Sequence, residues 1–192
     1  MTVIYGDIGD PDTKVLQNLW KGFKPKVLHA FKDTQEDIND ALQKENNILI
    51  LCGHGSPSGL FGDSGYAVGF HNVVLIKAKY VIGMWCHAKE FAKSAHLEGF
   101  FTAMYISNRS EALFNLKEEV TVSSDEITAS ETEFCLHIND MIRNSLDNIQ
   151  HWPEKILEIM PPKNQVEEFN HRRVEYVYAN KDYLKEHILG YK

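Results

Sequence analysis

Two side chains in this sequence could carry out nucleophilic chemistry as a pair. His54 follows the apolar run Ile48-Leu49-Ile50-Leu51-Cys52-Gly53, and Cys86 follows Tyr80-Val81-Ile82-Gly83-Met84-Trp85. A thiol attacks a carbonyl carbon only as its thiolate, so it needs a base or a positive field close by. An imidazole at the end of a neighbouring strand is such a base. A helix starting near His87-Ala88 would also aim its amides, and the positive end of its dipole, at the sulfur. Gly55, with no side chain in the way, could offer its backbone N–H to an oxyanion during acyl transfer. The plainer reading stands beside this one: histidine and cysteine at strand ends also fill space, and nine histidines in 192 residues make chance placements common.

Such a pair needs elements that deliver both side chains to one edge. Short apolar runs of this kind read as strands buried on both faces, and in an open α/β sheet ligands and chemistry collect beyond the carboxyl ends of the strands. Val3 to Gly6 reads as a first strand, and Pro11 between Asp10 and Asp12 as a helix start, with Val15, Leu16, Leu19, Trp20 and Phe23 following at helical spacing. Lys26 to Ala30 reads as a second strand. Thr34 can cap a helix whose Ile38, Ala41 and Leu42 share a face, and Ile48 to Leu51 is the third strand. This β-α-β-α-β alternation predicts a parallel sheet with right-handed crossovers. A glycine-studded segment from Gly53 to Gly69 follows and reads as a flexible loop flanking the substrate. Then come a turn at Asn72 to Lys77, a fourth strand at Tyr80 to Trp85, a helix from Ala88 to Leu97 and a fifth strand from Gly99 to Ser107. On this reading the sheet is complete within about 110 residues, a size typical of compact α/β units.

The remainder has a different character. Ser123 and Glu126 have the spacing of a capping box, and Ile127, Phe134, Ile138, Met141, Ser145 and Ile149 trace a stripe along a long amphipathic helix from Asp125 to Ile149. Trp152-Pro153 and Pro161-Pro162 bracket a short helix. Val166 and Phe169 suggest another helix, and the alternation of Val174, Tyr176 and Tyr178 suggests an edge strand. The expectation is therefore one α/β protein: a core over residues 1–115 and a mainly helical C-terminal extension over 116–192 packed on it.

Composition limits the function classes. A hydrophobic fraction of 43% with 24% charged residues fits a soluble globular chain and argues against disorder. The net charge of -7 and the lack of a Lys/Arg cluster argue against nucleic acid or an anionic membrane surface as partner. The N-terminus has no basic stretch followed by an apolar one, so no secretory signal is expected, and no apolar run approaches the roughly 20 residues of a membrane span. Three cysteines (Cys52, Cys86, Cys135) without C-x-x-C spacing do not make a disulfide framework, and a reducing cytoplasm is the expected location.

The two strand-end motifs, Ile48 through Ser56 and Val81 through Cys86, resemble the signature of the caspase-like cysteine peptidases, the group that holds caspases, metacaspases, legumain, gingipain, clostripain and separase. That signature is an apolar strand ending in His-Gly followed by another apolar strand ending in the catalytic cysteine. The resemblance covers about residues 1 to 115. It implies a three-layer α/β/α sandwich around a mostly parallel sheet, with Cys86 as nucleophile, His54 as general base, the Gly55 and Cys86 amides as oxyanion donors, and a thioacyl-enzyme intermediate. Met84-Trp85-Cys86-His87-Ala88 departs from the narrow caspase motif, and the His–Cys interval is shorter, so a preference for aspartate does not transfer.

In the family, the loop after the first strand and the segment after the strand following the cysteine line the pocket for the residue before the scissile bond. Asp7 occupies the first place and Ser107-Asn108-Arg109-Ser110-Glu111 the second. Asp7 would favour a lysine or arginine side chain, and it is the preferred reading. Arg109 would favour an acidic one unless Glu111 pairs with it. An aspartate near a helix start is otherwise a cap, and an arginine there a solvated charge.

Other residues carry less. Cys52, His54, Cys86 and His87 lack the loop spacing of a zinc site, so no metal is expected. Cys135, Met84 and Trp85 read as core, and the glycine-rich segment lacks the lysine of a phosphate loop. The expected activity is cysteine-dependent hydrolysis of a peptide or protein, without metal or organic cofactor. The alternatives are a catalytically silent caspase-like binding or signalling module, and an acyl-transfer enzyme using the same pair on a non-peptide substrate.

Overall fold

The computed structural model describes residues 1–116 and 119–179. Its centre is a six-stranded, mostly parallel mixed sheet. Strands β1 (Thr2–Gly6), β2 (Lys26–His29), β3 (Ile48–Gly53), β7 (Tyr80–Met84) and β8 (Gly99–Thr102) run parallel, and β9 (Val174–Val177) closes one edge antiparallel to β8. The order across the sheet is β2-β1-β3-β7-β8-β9. The neighbours β3 and β7 are in register from Ile48 opposite Tyr80 to Cys52 opposite Met84, so their carboxyl ends emerge side by side.

Alternate residues on each parallel strand feed two separate cores, as the two-residue period of a strand requires. Val3, Tyr5, Ile50, Cys52, Ile82, Met84 and Phe100 pack with Phe134, Ile138 and Met141 of α5 (Ser124–Asn144) and with Trp152 and Ile156 of α6 (Trp152–Ile159). Ile4, Leu49, Leu51, Val81 and Phe101 pack with Ile38, Ala41 and Leu42 of α2 (Gln35–Gln43) and with Ala88, Phe91 and Ala92 of α3 (Ala88–Ser94). Thr34 with Asp37 and Ser123 with Glu126 close capping boxes on α2 and α5, each worth about 1 kcal/mol to its helix. The remaining helices are α1 (Pro11–Val15), α4 (Arg109–Asn115) and α7 (Gln165–His171).

Four expectations are corrected. The sheet is not complete by residue 110, because β9 supplies its sixth strand from the C-terminal region. The glycine-studded segment is not a flexible loop. It folds into a second, antiparallel sheet of β4 (Gly55–Ser56), β5 (Gly59–Gly62) and β6 (Gly65–Gly69), whose Leu60, Ala67 and Val68 are buried against the main sheet's core. The fifth strand stops at Thr102, short of Ser107. The long helix stops at Asn144, and residues Leu146–His151 form a 3-10 turn that still buries Ile149, so the apolar stripe outlasts the α-helix. Of the expected extension over 116–192, residues 117–118 and 180–192 lie outside the described residues.

Candidate active site

Glycine on either side of His54 positions its imidazole. Gly53 has φ +140°, and a Cβ there would lie 2.6 Å from the Gly6 carbonyl oxygen, so only glycine lets β3 turn out of the sheet against β1 at this point. At Gly55 a Cβ would lie 2.2 Å from Trp85 Cδ1 and 2.7 Å from the Gly59 carbonyl oxygen. Trp85 in turn donates its Nε1–H to the Ser56 carbonyl at 3.1 Å, and its own carbonyl accepts from Thr102 Oγ1 at 2.9 Å. The residue before the cysteine is thus bound to the segment just after the histidine, and this tie fixes the spacing of the two chemical groups. Trp85 is core, as expected, and a strut as well.

Asp10 is the third member. Its Oδ2 lies 3.0 Å from His54 Nε2, while its Oδ1 accepts from the Thr13 N–H at 2.8 Å as the N-cap of α1. Burial disfavours the ionised Asp10 carboxyl, but the Thr13 amide and the hydrogen bond from His54 outweigh that and hold it below its usual value. A carboxylate on Nε2 keeps the proton there in the neutral ring and leaves Nδ1 as the basic nitrogen.

Cys86 stands just beyond β7, followed by His87 in the left-handed region (φ 71°), an uncommon conformation for a non-glycine residue that turns the chain sharply into α3. The thiol donates to the Tyr105 carbonyl oxygen at 3.5 Å and makes no hydrogen bond to His54 among the described residues. His54 and Cys86 nevertheless line one small cavity together with Asp12, Thr13, Gly53, Trp85, Thr102, Tyr105 and Glu131. They also share a shallower groove with Ile8, Phe31, Gly55, Phe61, Met104 and Glu111.

The electrostatics run against the expected dipole effect of α3. Burial pushes the Cys86 thiol up to about 11, the Tyr105 hydrogen bond pulls the other way, and the carboxylates of Glu111, Glu131 and Asp12 push it further up. In the resting protein Cys86 is therefore a neutral thiol at pH 7. Cys52 and Cys135 are fully buried, and burial raises both thiols well above their ordinary range.

The two oxyanion candidates differ in what holds them. The Cys86 N–H has no hydrogen-bond acceptor among the described residues. At Gly55, the Phe61 N–H donates to the His54 carbonyl at 2.9 Å, so Gly55–Leu60 is the next, non-hydrogen-bonded pair of the β4–β5 ladder and the Gly55 N–H points away from β5.

The two residues read as specificity determinants are not brought to the cavity. Asp7 accepts from the Gly9 N–H at 2.6 Å and from Thr13 Oγ1 at 2.9 Å, closing the turn before α1. Arg109, at the start of α4, donates to the Val122 carbonyl at 2.7 Å. Glu111 pairs with neither: its Oε2 accepts from the Ser107 N–H and hydroxyl.

Asp10, Asp12 and Glu131 are site residues that the sequence does not single out. Asp10 and Asp12 were visible only as companions of Pro11. Glu131 had a readable signal, since Ile127, Glu131, Phe134 and Ile138 fall on one helical face and a carboxylate there interrupts an apolar stripe. Among the described residues, no group of three or more His, Cys, Asp or Glu side chains could hold a metal ion, and no helix is long and apolar enough to cross a membrane. Comparison with protein-family models, with curated proteins and with solved structures found no match to this chain.

Proposed function

We propose that this protein is a cysteine-dependent peptidase of caspase-like architecture, a three-layer α/β/α sandwich acting in the cytoplasm on peptide or protein substrates. The observation that carries the reading is the placement of His54 and Cys86 at the carboxyl ends of adjacent parallel strands, lining one cavity, with Asp10 holding Nε2 of the imidazole. This is the nucleophile, base and orienting group of covalent acyl transfer. The three cysteines are free, which suits a reducing compartment.

In the proposed reaction His54 Nδ1 accepts the Cys86 Sγ proton as the sulfur attacks the carbonyl carbon of the scissile bond. The oxygen becomes an oxyanion facing the Cys86 and Gly55 N–H groups. Collapse breaks the C–N bond, and the proton held on His54 passes to the departing amine. A water then gives its proton to His54 and its oxygen to the thioacyl carbon, releasing the acid and the thiol. Since the resting thiol sits at about 11, proton transfer accompanies attack, and no thiolate–imidazolium pair stands ready beforehand.

The hydrogen bond from the thiol to Tyr105 and its raised pKa favour a second reading, a silent binding module on the same fold. A positional-scanning peptide library separates the two. Cleavage by the wild-type chain that falls by about 10³-fold or more in Cys86→Ala and in His54→Ala is the expected result. No cleavage of any library member, or cleavage that survives Cys86→Ala, rejects the peptidase.

A further inference from the structure

The shallow groove shared by His54 and Cys86 continues past the histidine, and its lining there is of one kind. Across the carboxyl edge of the sheet, Cys86 follows β7, His54 follows β3, Ile8 follows β1 and Phe31 follows β2. Strand β5 crosses the ends of β3, β1 and β2 as a wall. The Phe61 N–H donates to the His54 carbonyl at 2.9 Å, a Cβ on Gly6 would lie 3.5 Å from the Phe61 carbonyl oxygen, and the Asp63 N–H donates to the Ala30 carbonyl at 3.2 Å. Among the described residues, the side chains lining the groove beyond His54 are Ile8, Phe31 and Phe61, none of them polar. Met104 and Glu111, which follow β8, line the opposite end, on the other side of Cys86. The apolar end is held in shape before anything binds. Ile8 is 61% exposed in a loop fastened on both sides, by Asp7 to the Gly9 N–H and Thr13 Oγ1 and by Asp10 to the Thr13 N–H. The Phe61 ring stacks on Tyr66 with centroids 5.5 Å apart, and the Tyr66 hydroxyl lies 3.0 Å from Ser56 Oγ. Apolar surface presented rigidly to water is costly, and the cost is recovered when an apolar group covers it.

We propose, on the peptidase reading above, that this end of the groove receives the substrate chain after the scissile bond and selects apolar side chains there. Chemistry sets the direction. The proton held on His54 goes to the departing nitrogen, so the leaving chain runs out on the His54 side of Cys86, towards Ile8 and Phe31. Length agrees with this. Two strand spacings of about 4.8 Å separate the ends of β3 and β2, which gives about 10 Å beyond His54, or about three extended residues at about 3.3 Å each. The whole groove has a volume of about 590 Å³, enough for several side chains. Polarity selects the class. Ile8, Phe31 and Phe61 offer no partner to a charged or polar side chain, whose lost hydration would go uncompensated, whereas leucine, isoleucine, phenylalanine or methionine buries its own surface against theirs. The selection is made on the leaving chain and is separate from whatever enters the small cavity lined by Asp12 and Glu131.

The test is digestion of a random peptide library, with the products sequenced from their new N-termini, which reads the residues after the cut whatever precedes it. Leucine, isoleucine, phenylalanine and methionine are expected to exceed glycine, serine and acidic residues by about 10-fold or more at the first or second position. Ile8→Ser truncates an exposed side chain and should lower that ratio by at least about 3-fold, while Ile8→Leu should keep it. Products with no apolar excess at these positions, or with an excess of charged residues, overturn the inference and leave the peptidase standing. So does an Ile8→Ser chain with the full ratio. A binding measurement needs no turnover: Leu-Leu amide should raise the thermal midpoint of the wild-type chain above that in equal Gly-Gly amide, and the difference should shrink in Ile8→Ser. Equal midpoints in the wild-type chain overturn the apolar subsite. A selective rise in a chain that cuts no peptide keeps the apolar groove and rejects the peptidase.

Discussion

The carboxyl of Glu131, which is 4% exposed on α5 and lines the Cys86 cavity, makes a quantitative prediction about stability that is independent of any substrate. Burial, then the like charges of Asp12, Glu111 and Asp10, push this carboxyl from 4.5 to about 9. The sign follows from proton linkage. The folded chain holds this proton more tightly than the unfolded one, so the contribution to stability is full below about pH 4.5 and is lost steadily as pH rises towards about 9. Each pH unit within that window costs about 1.4 kcal/mol, which gives about 3 kcal/mol at pH 7 and less than about 1 kcal/mol at pH 5. Glutamine has nearly the shape of the protonated acid and binds no proton in either state. Glu131→Gln should therefore stabilise the chain by about 3 kcal/mol at pH 7 and by much less at pH 5. Urea unfolding of both chains at the two pH values reads the difference, and the other carboxylates cancel because they are common to both. A gain equal at both pH values, or a loss at pH 7, would refute the claim that burial and like charge hold this carboxyl protonated.

Other perturbations address other parts of the site. Asp10→Asn keeps the size of the cap but weakens its hold on His54 Nε2, so kcat/KM should fall about 10- to 100-fold in steady-state assays while the unfolding midpoint drops by no more than about 1 kcal/mol equivalent. Gly55→Ala places a methyl group on Trp85 and should cost about 1–3 kcal/mol in urea unfolding and most of the activity, because the Trp85 tie to Ser56 must give way. Alkylation by iodoacetamide should single out Cys86 among the three thiols in the folded chain, with a pH midpoint near 11 in the absence of substrate; a midpoint at or below pH 8.5 contradicts the acidic surroundings described for the thiol.

Much of the frame was legible because apolar runs and caps are local signals. Ile48 to Leu51 and Tyr80 to Trp85 read as strands, found at Ile48–Gly53 and Tyr80–Met84, Thr34 and Ser123 as caps, and the alternation at Val174 to Tyr178 as an edge strand, found at Val174–Val177. The part that stayed hidden depends on contacts between distant residues. Nothing local in Val174 to Val177 says that it pairs with β8 some 75 residues upstream. The glycines between Gly53 and Gly69 looked like a loop because their reason lies in close packing, such as Gly55 against Trp85, which sequence spacing does not reveal. Asp10 looked like a helix start and is one; its second bond to His54 spans 44 residues. The acid the sequence offers for substrate recognition is Asp7, adjacent to β1, whereas the acids that line the Cys86 cavity are Asp12, at the start of α1, and Glu131. Only Glu131 left a mark in the pattern, as a charge within an apolar stripe.

If the proposed reaction holds, Cys86 forms a covalent acyl intermediate with help from His54. Intact-mass and peptide-mapping mass spectrometry, after rapid acid quench of the protein mixed with an N-acyl lysine ester, reads that intermediate directly. A mass increase of one acyl group is expected on the peptide containing Cys86 in the wild-type chain, at least about 100-fold slower to appear in His54→Ala. An unmodified Cys86 at all times, or an acyl group found on a different side chain, would contradict it.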